Sequence, residues 1–424
     1  MRGSAGKHIV FLVENASVPH DPRVWKEAKV ARSLGFEVSV VSPRGTSIDT
    51  EKFSVIDGIP VYRYRQVVLG SGFLSYVVEY LNALMLTAWL VFRINRQRTI
   101  DVFHVANPPD LFFLVVQWYR WRGARYIFDI HDLFVNTFES KFERKRSPFK
   151  RLISGLLGLI ERTNIACADL LVVTNQSYQD YVTGLYHYAK DKIFIVRNAP
   201  PLDNRLEIEA DPALKRGKSH MLVFFGNMGE DDGVDVILRA LAYLRDEKQF
   251  EDFICYLIGP TEVSASPAIG ELLKLHDALH LSNNVVFTGY LSWHQVHCHL
   301  NTADVGLSPD PYTRQNDLST MIKIMEYMSH GLPIVSFNLK ENRYSASNAA
   351  VYCEGYDYRE FGVKILSLLC DPAVRQAMRA AGLERYRSDF NWTNSTTSLV
   401  QTYERILGMM NGVNLQKPEE IPHF

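Results

Sequence analysis

Lys323 and Glu326 stand three residues apart in the run STMIKIMEYMSHGLPIV, residues 319–335. That spacing puts both on one face near the start of a helix. Ser319 or Thr320 is expected to cap that helix. First-turn amides and an ammonium group suit a diphosphate, and Glu326 can accept two hydrogen bonds from a ribose diol. The competing reading is an exposed lysine–glutamate pair worth roughly a few tenths of a kcal/mol. A second candidate is FGNMGEDDGVD, residues 225–235. Here an apolar strand runs into Gly226, then Gly229 and Gly233, then a helix. Glycines let a backbone approach a ligand, and a helix start offers N–H groups to an anion. By itself the segment reads equally well as a plain turn; it is neither a P-loop nor a strict dinucleotide fingerprint.

The first half of the chain offers two further groups. After the first strand come Asn15, His20, Asp21 and Arg23, with Pro22 suited to a first helical turn and Asp21 to its cap. Arg23 reads equally as a phosphate contact or as the partner of a carboxylate. Asp129, His131 and Asp132 end another strand, where ligands of open α/β sheets collect.

The elements that must hold these residues alternate. Strands are expected at 8–13, 37–41, 59–64, 101–105, 125–130, 169–174 and 193–196, with helices at 23–34, 73–92 and 149–167 between them. Residues 199–219 read as a polar linker. The pattern then restarts with strands at 221–225, 253–258, 285–288, 304–307 and 333–337. Helices are expected at 234–245, 268–280, 293–300 and 322–329, and a mostly helical tail at 358–412. Alternation of this kind implies α/β architecture: two Rossmann-like, doubly wound parallel-sheet domains with a cleft between them. The boundaries read as an N-terminal domain 1–198, a linker 199–219, a C-terminal domain 220–392, a helix 393–412 returning to the first domain, and a tail 413–424.

Composition narrows the classes. Of 424 residues 47% are hydrophobic and 22% charged, which suits two large cores, and a formal net charge of -1 gives no field for nucleic acid. The five cysteines, at 167, 255, 298, 353 and 370, lie far apart without metal-ligand spacing. No Asp-x-Asp motif stands in a suitable loop, so chemistry without metal or cofactor is expected. The segment 73–92 is long enough to span a bilayer. It carries Glu79 and Asn82, however, and a carboxylate at bilayer depth costs about 2.5–3.5 kcal/mol. It therefore reads as a buried or membrane-surface helix. With the basic stretch Lys141–Arg151 it points to peripheral docking on an anionic membrane.

Residues 319–343, STMIKIMEYMSHGLPIVSFNLKENR, resemble the donor-binding segment of glycosyltransferase family 4. FGNMGEDDGVD resembles the glycine loop of that family, VVFTGYLSWHQV (285–296) its base-side strand, and FNWTNSTTSLVQTYERIL (390–407) its returning C-terminal helix. ENASVPHDPRVWKEAKVARSLGFEVSVVSP (14–43) and DIHDLF (129–134) are similar to a subgroup that builds surface polysaccharides. The resemblance implies a GT-B fold and a retaining glycosyltransferase. It would use a nucleotide-diphosphate sugar, with a UDP-type donor favoured, and a glycan or lipid-linked glycan acceptor. It implies that Glu326 binds the ribose and that Lys323 with Ser319, Thr320 and Met321 holds the diphosphate. Gly226 and Asn227 would line the sugar-phosphate side, and Thr288, Gly289 and Tyr290 the base. Asn15, His20, Asp21 and Arg23 would lie on the acceptor side, and Lys323, His131 and Arg343 would carry the catalytic weight. The implied location is cytoplasmic, at the inner face of the cell membrane. Two departures stand out. Leu318 occupies the position of the first of two family glutamates, and acidic residues replace the basic clamp after the glycine loop. The fold also hosts nucleotide-sugar epimerases and non-catalytic nucleotide-sugar binders.

Overall fold

The computed structural model describes residues 6–45, 49–66, 73–142, 148–203, 205–262 and 266–411. The chain divides into two compact units, one of residues 1–198 with 393–424 and one of residues 199–392.

The first unit opens with β1 (His8–Leu12), α1 (Pro22–Ser33), β2 (Glu37–Pro43), the hairpin β3 (Phe53–Ile56) and β4 (Ile59–Tyr64), and the 25-residue α2 (Phe73–Gln97). It continues with β5 (Val102–Ala106), α3 (Phe113–Arg120), β6 (Arg125–Ile130), α4 (Phe134–Phe142), α5 (Pro148–Cys167), β7 (Leu170–Val173), α6 (Gln176–Tyr186) and β8 (Ile193–Ile195). These strands form one eight-stranded sheet in the order β3-β4-β2-β1-β5-β6-β7-β8, antiparallel only between β3 and β4. β1, β5 and β7 are buried throughout, as expected of parallel strands covered on both faces.

The second unit contains β9 (His220–Phe225), α7 (Val234–Asp246), β10 (Phe253–Ile258), α8 (Pro267–Ala278), β11 (Val285–Gly289), α9 (Trp293–Thr302) and β12 (Val305–Ser308). It goes on through α10 (Arg314–Leu318), α11 (Ile322–Ser329), β13 (Ile334–Phe337), α12 (Lys340–Ala346), β14 (Ala350–Cys353), α13 (Tyr358–Cys370) and α14 (Pro372–Ser388). α15 (Trp392–Asn411) returns to the first unit, where the Tyr403 hydroxyl lies 3.0 Å from His104 Nδ1 on β5. The six strands are all parallel and run β11-β10-β9-β12-β13-β14, the doubly wound order in which the first strand of the unit sits beside the fourth. Alternate residues of β9 enter different cores. Leu222 and Phe224 pack on one face of the sheet, Met221 and Val223 on the other. The two-residue period of a strand accounts for this split.

Local chemistry fixes several boundaries. Asp21 caps α1 by accepting from the Arg23 and Val24 amides, with Pro22 in the first turn. Ser292 and Gln295 form a capping box on α9. Gly233 starts α7 at φ +67°, and an added Cβ there would lie 2.0 Å from the Pro309 carbonyl oxygen. Residues 199–219, read as a linker, include the short 3-10 turns 205–207 and 212–215 and belong to the second unit. The side chains of residues 140–150 lie outside the described residues, so of the basic stretch only Arg151 is seen, exposed.

Candidate active site

The doubly wound order of the second unit changes direction between β9 and β12, the place where such sheets bind ligands beyond their carboxyl ends. Gly226 follows β9 there, and the Ser308–Asp310 turn follows β12. Lys323, on the first turn of α11, reaches into this switch point. Its Nζ is 2.6 Å from Asp310 Oδ1 and 3.8 Å from Asp232 Oδ1, and 4.7 Å from the centre of the Phe224 ring. Asp310 is buried and also accepts from the Ser308 hydroxyl at 2.6 Å. A Cβ added to Gly226 would lie 3.5 Å from Lys323 Cε, so the glycine backbone runs beside the ammonium stem. The acidic run after the glycine loop therefore supplies one partner of Lys323. Asp232 holds the Gly229 amide at 2.9 Å, and burial pushes its carboxyl above the usual range despite the nearby lysine. An ammonium held between two carboxylates is a paired site rather than a bare cation.

Glu326 lies one turn further along α11, and its partner was not anticipated. The Arg205 guanidinium donates to Glu326 Oε2 and, at 3.2 Å, to the Ser329 hydroxyl. It also forms a two-pronged contact with Asp203, at 2.6 and 3.0 Å. Asn301 holds the Arg205 carbonyl at 2.9 Å. Burial pulls the Arg205 pKa down, but Asp203 and Glu326 outweigh it and the net shift is upward. Lys323 and Glu326, both buried, thus have separate partners, which excludes the reading as an exposed pair. Arg205 carries no local signal in the sequence, since it sits in a polar stretch with the composition of a linker.

The expected cap is corrected. Neither Ser319 nor Thr320 caps the helix of Lys323. Ser319 closes α10, Met321 precedes α11, and no side chain caps its first turn. Thr313 begins the intervening helix instead, by accepting from the Asn316 amide. The Thr320 hydroxyl lies 3.3 Å from Glu341. Leu318, at the departed glutamate position, is the last residue of α10, and its neighbour Asp317 accepts from the Lys340 amide at 2.8 Å. Asn227 is exposed beside the glycine loop. At the end of β11, the Thr288 hydroxyl is tied to the Gly289 carbonyl at 2.8 Å, Gly289 has φ +74°, and Tyr290 is 79% exposed. Arg343 lies apart from Lys323 in its contacts. It stacks on Tyr352, donates to Asn338 at 3.0 Å and faces Glu354 at 3.8 Å.

In the first unit, Asn15 and His20 are exposed on the loop after β1, whereas Asp21 is a helix cap. Arg23 is buried in an ion cluster. It holds Asp129 at 2.8 Å, Glu27 at 3.2 Å and the Val196 carbonyl at 2.7 Å. Its partners thus include two carboxylates and a backbone carbonyl of its own unit. His131 Nε2 lies 2.6 Å from Asp129 Oδ2, and the Asn107 side chain orients the turn by accepting from the His131 amide at 2.7 Å. Burial and the Asp129 charge push Glu27 well above the usual carboxylate range. For Asp129 burial pushes upward too, but Arg23 and His131 outweigh it and hold it well below. Glu27, Asp129 and His131 bring ligand-type atoms within 4.8 Å of one another, with the Arg23 guanidinium against both carboxylates.

Two family models cover most of the chain. "Glycosyl transferase 4-like domain" matches residues 22–199, and "Glycosyl transferases group 1" matches residues 219–371. The chain therefore belongs to the family 4 glycosyltransferases of GT-B fold. It is 24% identical to a Mycobacterium tuberculosis glycogen synthase over 238 residues, 56% of this chain and 54% of that one. It thus spans little more than half the length of that curated relative. Among solved structures it resembles sucrose-phosphate synthase from Thermosynechococcus elongatus, with TM-score 0.76, 15% identity, and 95% and 100% of the two chains covered. Anabaena HepE in complex with UDP aligns with TM-score 0.64 and 13% identity over 94% and 100%.

Proposed function

We propose that the protein transfers a sugar, with retention, from a nucleotide-diphosphate donor to a glycan or lipid-linked glycan, with UDP the favoured carrier. The observation that carries this reading is the convergence at one switch point of Lys323, the first turn of α11 without a side-chain cap, and the backbone at Gly226. A helix start and an ammonium group can stabilise the charge that grows on a departing diphosphate. Glu326 would take the ribose hydroxyls, with Arg205 fixing its carboxylate. A retaining route asks the protein mainly to position donor and acceptor, since the diphosphate oxygen can accept the acceptor proton on the same face. That route fits a site whose carboxylates Asp310 and Glu326 are each paired with a cation. The UDP held by the Anabaena relative supports the choice of carrier.

Peripheral membrane contact belongs to the same proposal. Val78, Leu81, Met85, Trp89 and Phe92 are all at least 37% exposed and recur at steps of three and four along α2. Liposome flotation with anionic lipid at low and high salt tests it; failure to float at either salt rejects docking. Transfer is tested by incubating the protein with a set of nucleotide sugars, with and without acceptor lipids. Isomerised donor without transfer would instead assign an epimerase.

A further inference from the structure

A cavity of about 280 Å³ opens among α2, α4, α5 and the turns after β5 and β6. That is close to the lower end of the ~300–1,000 Å³ usual for small-molecule sites. Its wall is hydrocarbon and aromatic almost throughout. Tyr80 and Leu81 come from α2, Phe134 and Phe138 from α4, and Leu156 and Leu157 from α5. The Thr137 hydroxyl in the wall is bound to the Leu133 carbonyl at 3.1 Å, which leaves Asp132 as the one charged residue of the lining among the described residues. Asp132 enters the lining from the turn after β6, next to His131 at the carboxyl edge of the sheet.

The lining also reaches apolar surface. Leu81 and Leu156 line the cavity and are 49% and 57% exposed. Each also belongs to an exposed apolar stripe. On α2 the stripe is the one described above, and on α5 it is Leu152, Leu156 and Leu159. α3, which packs against both helices, adds Leu114, Trp118 and Trp121 at the same spacing. Three neighbouring helices that turn large apolar residues outward exceed what a monomer normally leaves to water. Guanidinium groups sit among them: Arg93 lies 4.9 Å from the Trp89 ring centre and Arg122 3.8 Å from that of Trp118. Trp with Arg at the edge of an apolar surface matches the interface of an anionic lipid layer.

We infer that this groove holds the hydrocarbon chain of a lipid-linked glycan acceptor, with hydroxyls of the sugar head donating toward Asp132 and the chain leaving between Leu81 and Leu156. The inference rests on the transfer reading and narrows it, because a free glycan has nothing to place in such a channel. Chain burial stabilises by about 0.8 kcal/mol per methylene.

The test uses a hexadecyl glucoside carrying a mid-chain diazirine, irradiated with the full protein, and peptide mapping of the label. Labelling in α2, α4 and α5 at groove residues supports the assignment. So does an at least tenfold loss of that labelling in Leu157→Trp, which fills the channel, and in Leu81→Glu, which makes its mouth acidic. The thermal shift given by UDP is read in parallel and stays unchanged in both variants. Label confined to outward residues such as Met85 and Trp89, or label insensitive to both substitutions, overturns the inference. Self-association that Leu81→Glu abolishes while labelling persists also overturns it, and assigns the face to a second copy of the chain. Loss of the UDP shift in the unmodified protein counts against the transfer reading, separately from the groove.

Discussion

Arg205 and Glu326 form a buried ion pair across 121 residues of sequence, with side chains only 4% and 9% exposed. Removal of one member strands the other away from water. Such truncations typically cost about 3–5 kcal/mol. Arg205→Ala should therefore lower stability by that order in chemical denaturation, and Arg205→Lys should recover part of it. Equal stability of Arg205→Ala and the unmodified protein would mean that the pair does not hold the second unit together.

If Glu326 receives a ribose diol, UDP should bind more tightly than 2′-deoxy-UDP. Glu326→Gln should shrink that difference, because a neutral amide accepts more weakly than a carboxylate. Titration calorimetry on four combinations of protein and ligand checks it. A preference for UDP that survives the substitution would move the ribose elsewhere.

Asp232 opposes an incoming diphosphate as long as it is ionised, and it lies 3.8 Å from Lys323. Asp232→Asn removes that charge, so UDP affinity should rise several-fold, with the gain shrinking at high salt. A loss of affinity would show that Asp232 positions Lys323 more than it repels the ligand.

Gln66 donates at 2.6 Å to both Glu14 and Glu79, bringing two carboxylates together. Burial, reinforced by the Glu79 charge, pushes Glu14 up to about 7. A carboxyl whose pKa is raised by folding contributes most in acid, below the ordinary glutamate range, and its contribution is lost as pH rises through about 7. The melting temperature of the unmodified protein should thus fall relative to Glu14→Gln between pH 5 and pH 8. Parallel melting curves across that range would contradict the shift.

The sequence made the strands and the glycine loop legible because parallel strands are unbroken apolar runs, and Gly226 punctuates one of them. Lys323 and Glu326 were legible as a pair on one helix. Their partners were not. Asp310 lies between two prolines, and Arg205 lies in a stretch whose composition is that of a linker. Both acquire meaning only from segments distant in sequence. The caps at Ser319 and Thr320 were misplaced because Thr313, also a good cap, starts a separate turn of helix first. Arg23 and Asp129 were each visible, but their burial together with Glu27 depends on how β1, β5 and β6 stack, which periodicity does not encode. The segment of α2 is legible by length and composition as a buried or membrane-surface helix; that it carries an exposed apolar stripe beside a groove needs α4 and α5 in place.

The most direct measurement is the affinity for UDP of the paired variant Lys323→Met with Asp310→Asn. It removes the ammonium together with Asp310, its nearest carboxylate, and leaves Asp232, whose carboxyl burial already raises, as the remaining acidic neighbour. Binding at the β9–β12 switch point predicts at least a hundredfold weaker UDP complex, about 3 kcal/mol. An unchanged affinity in a variant that still folds would contradict it.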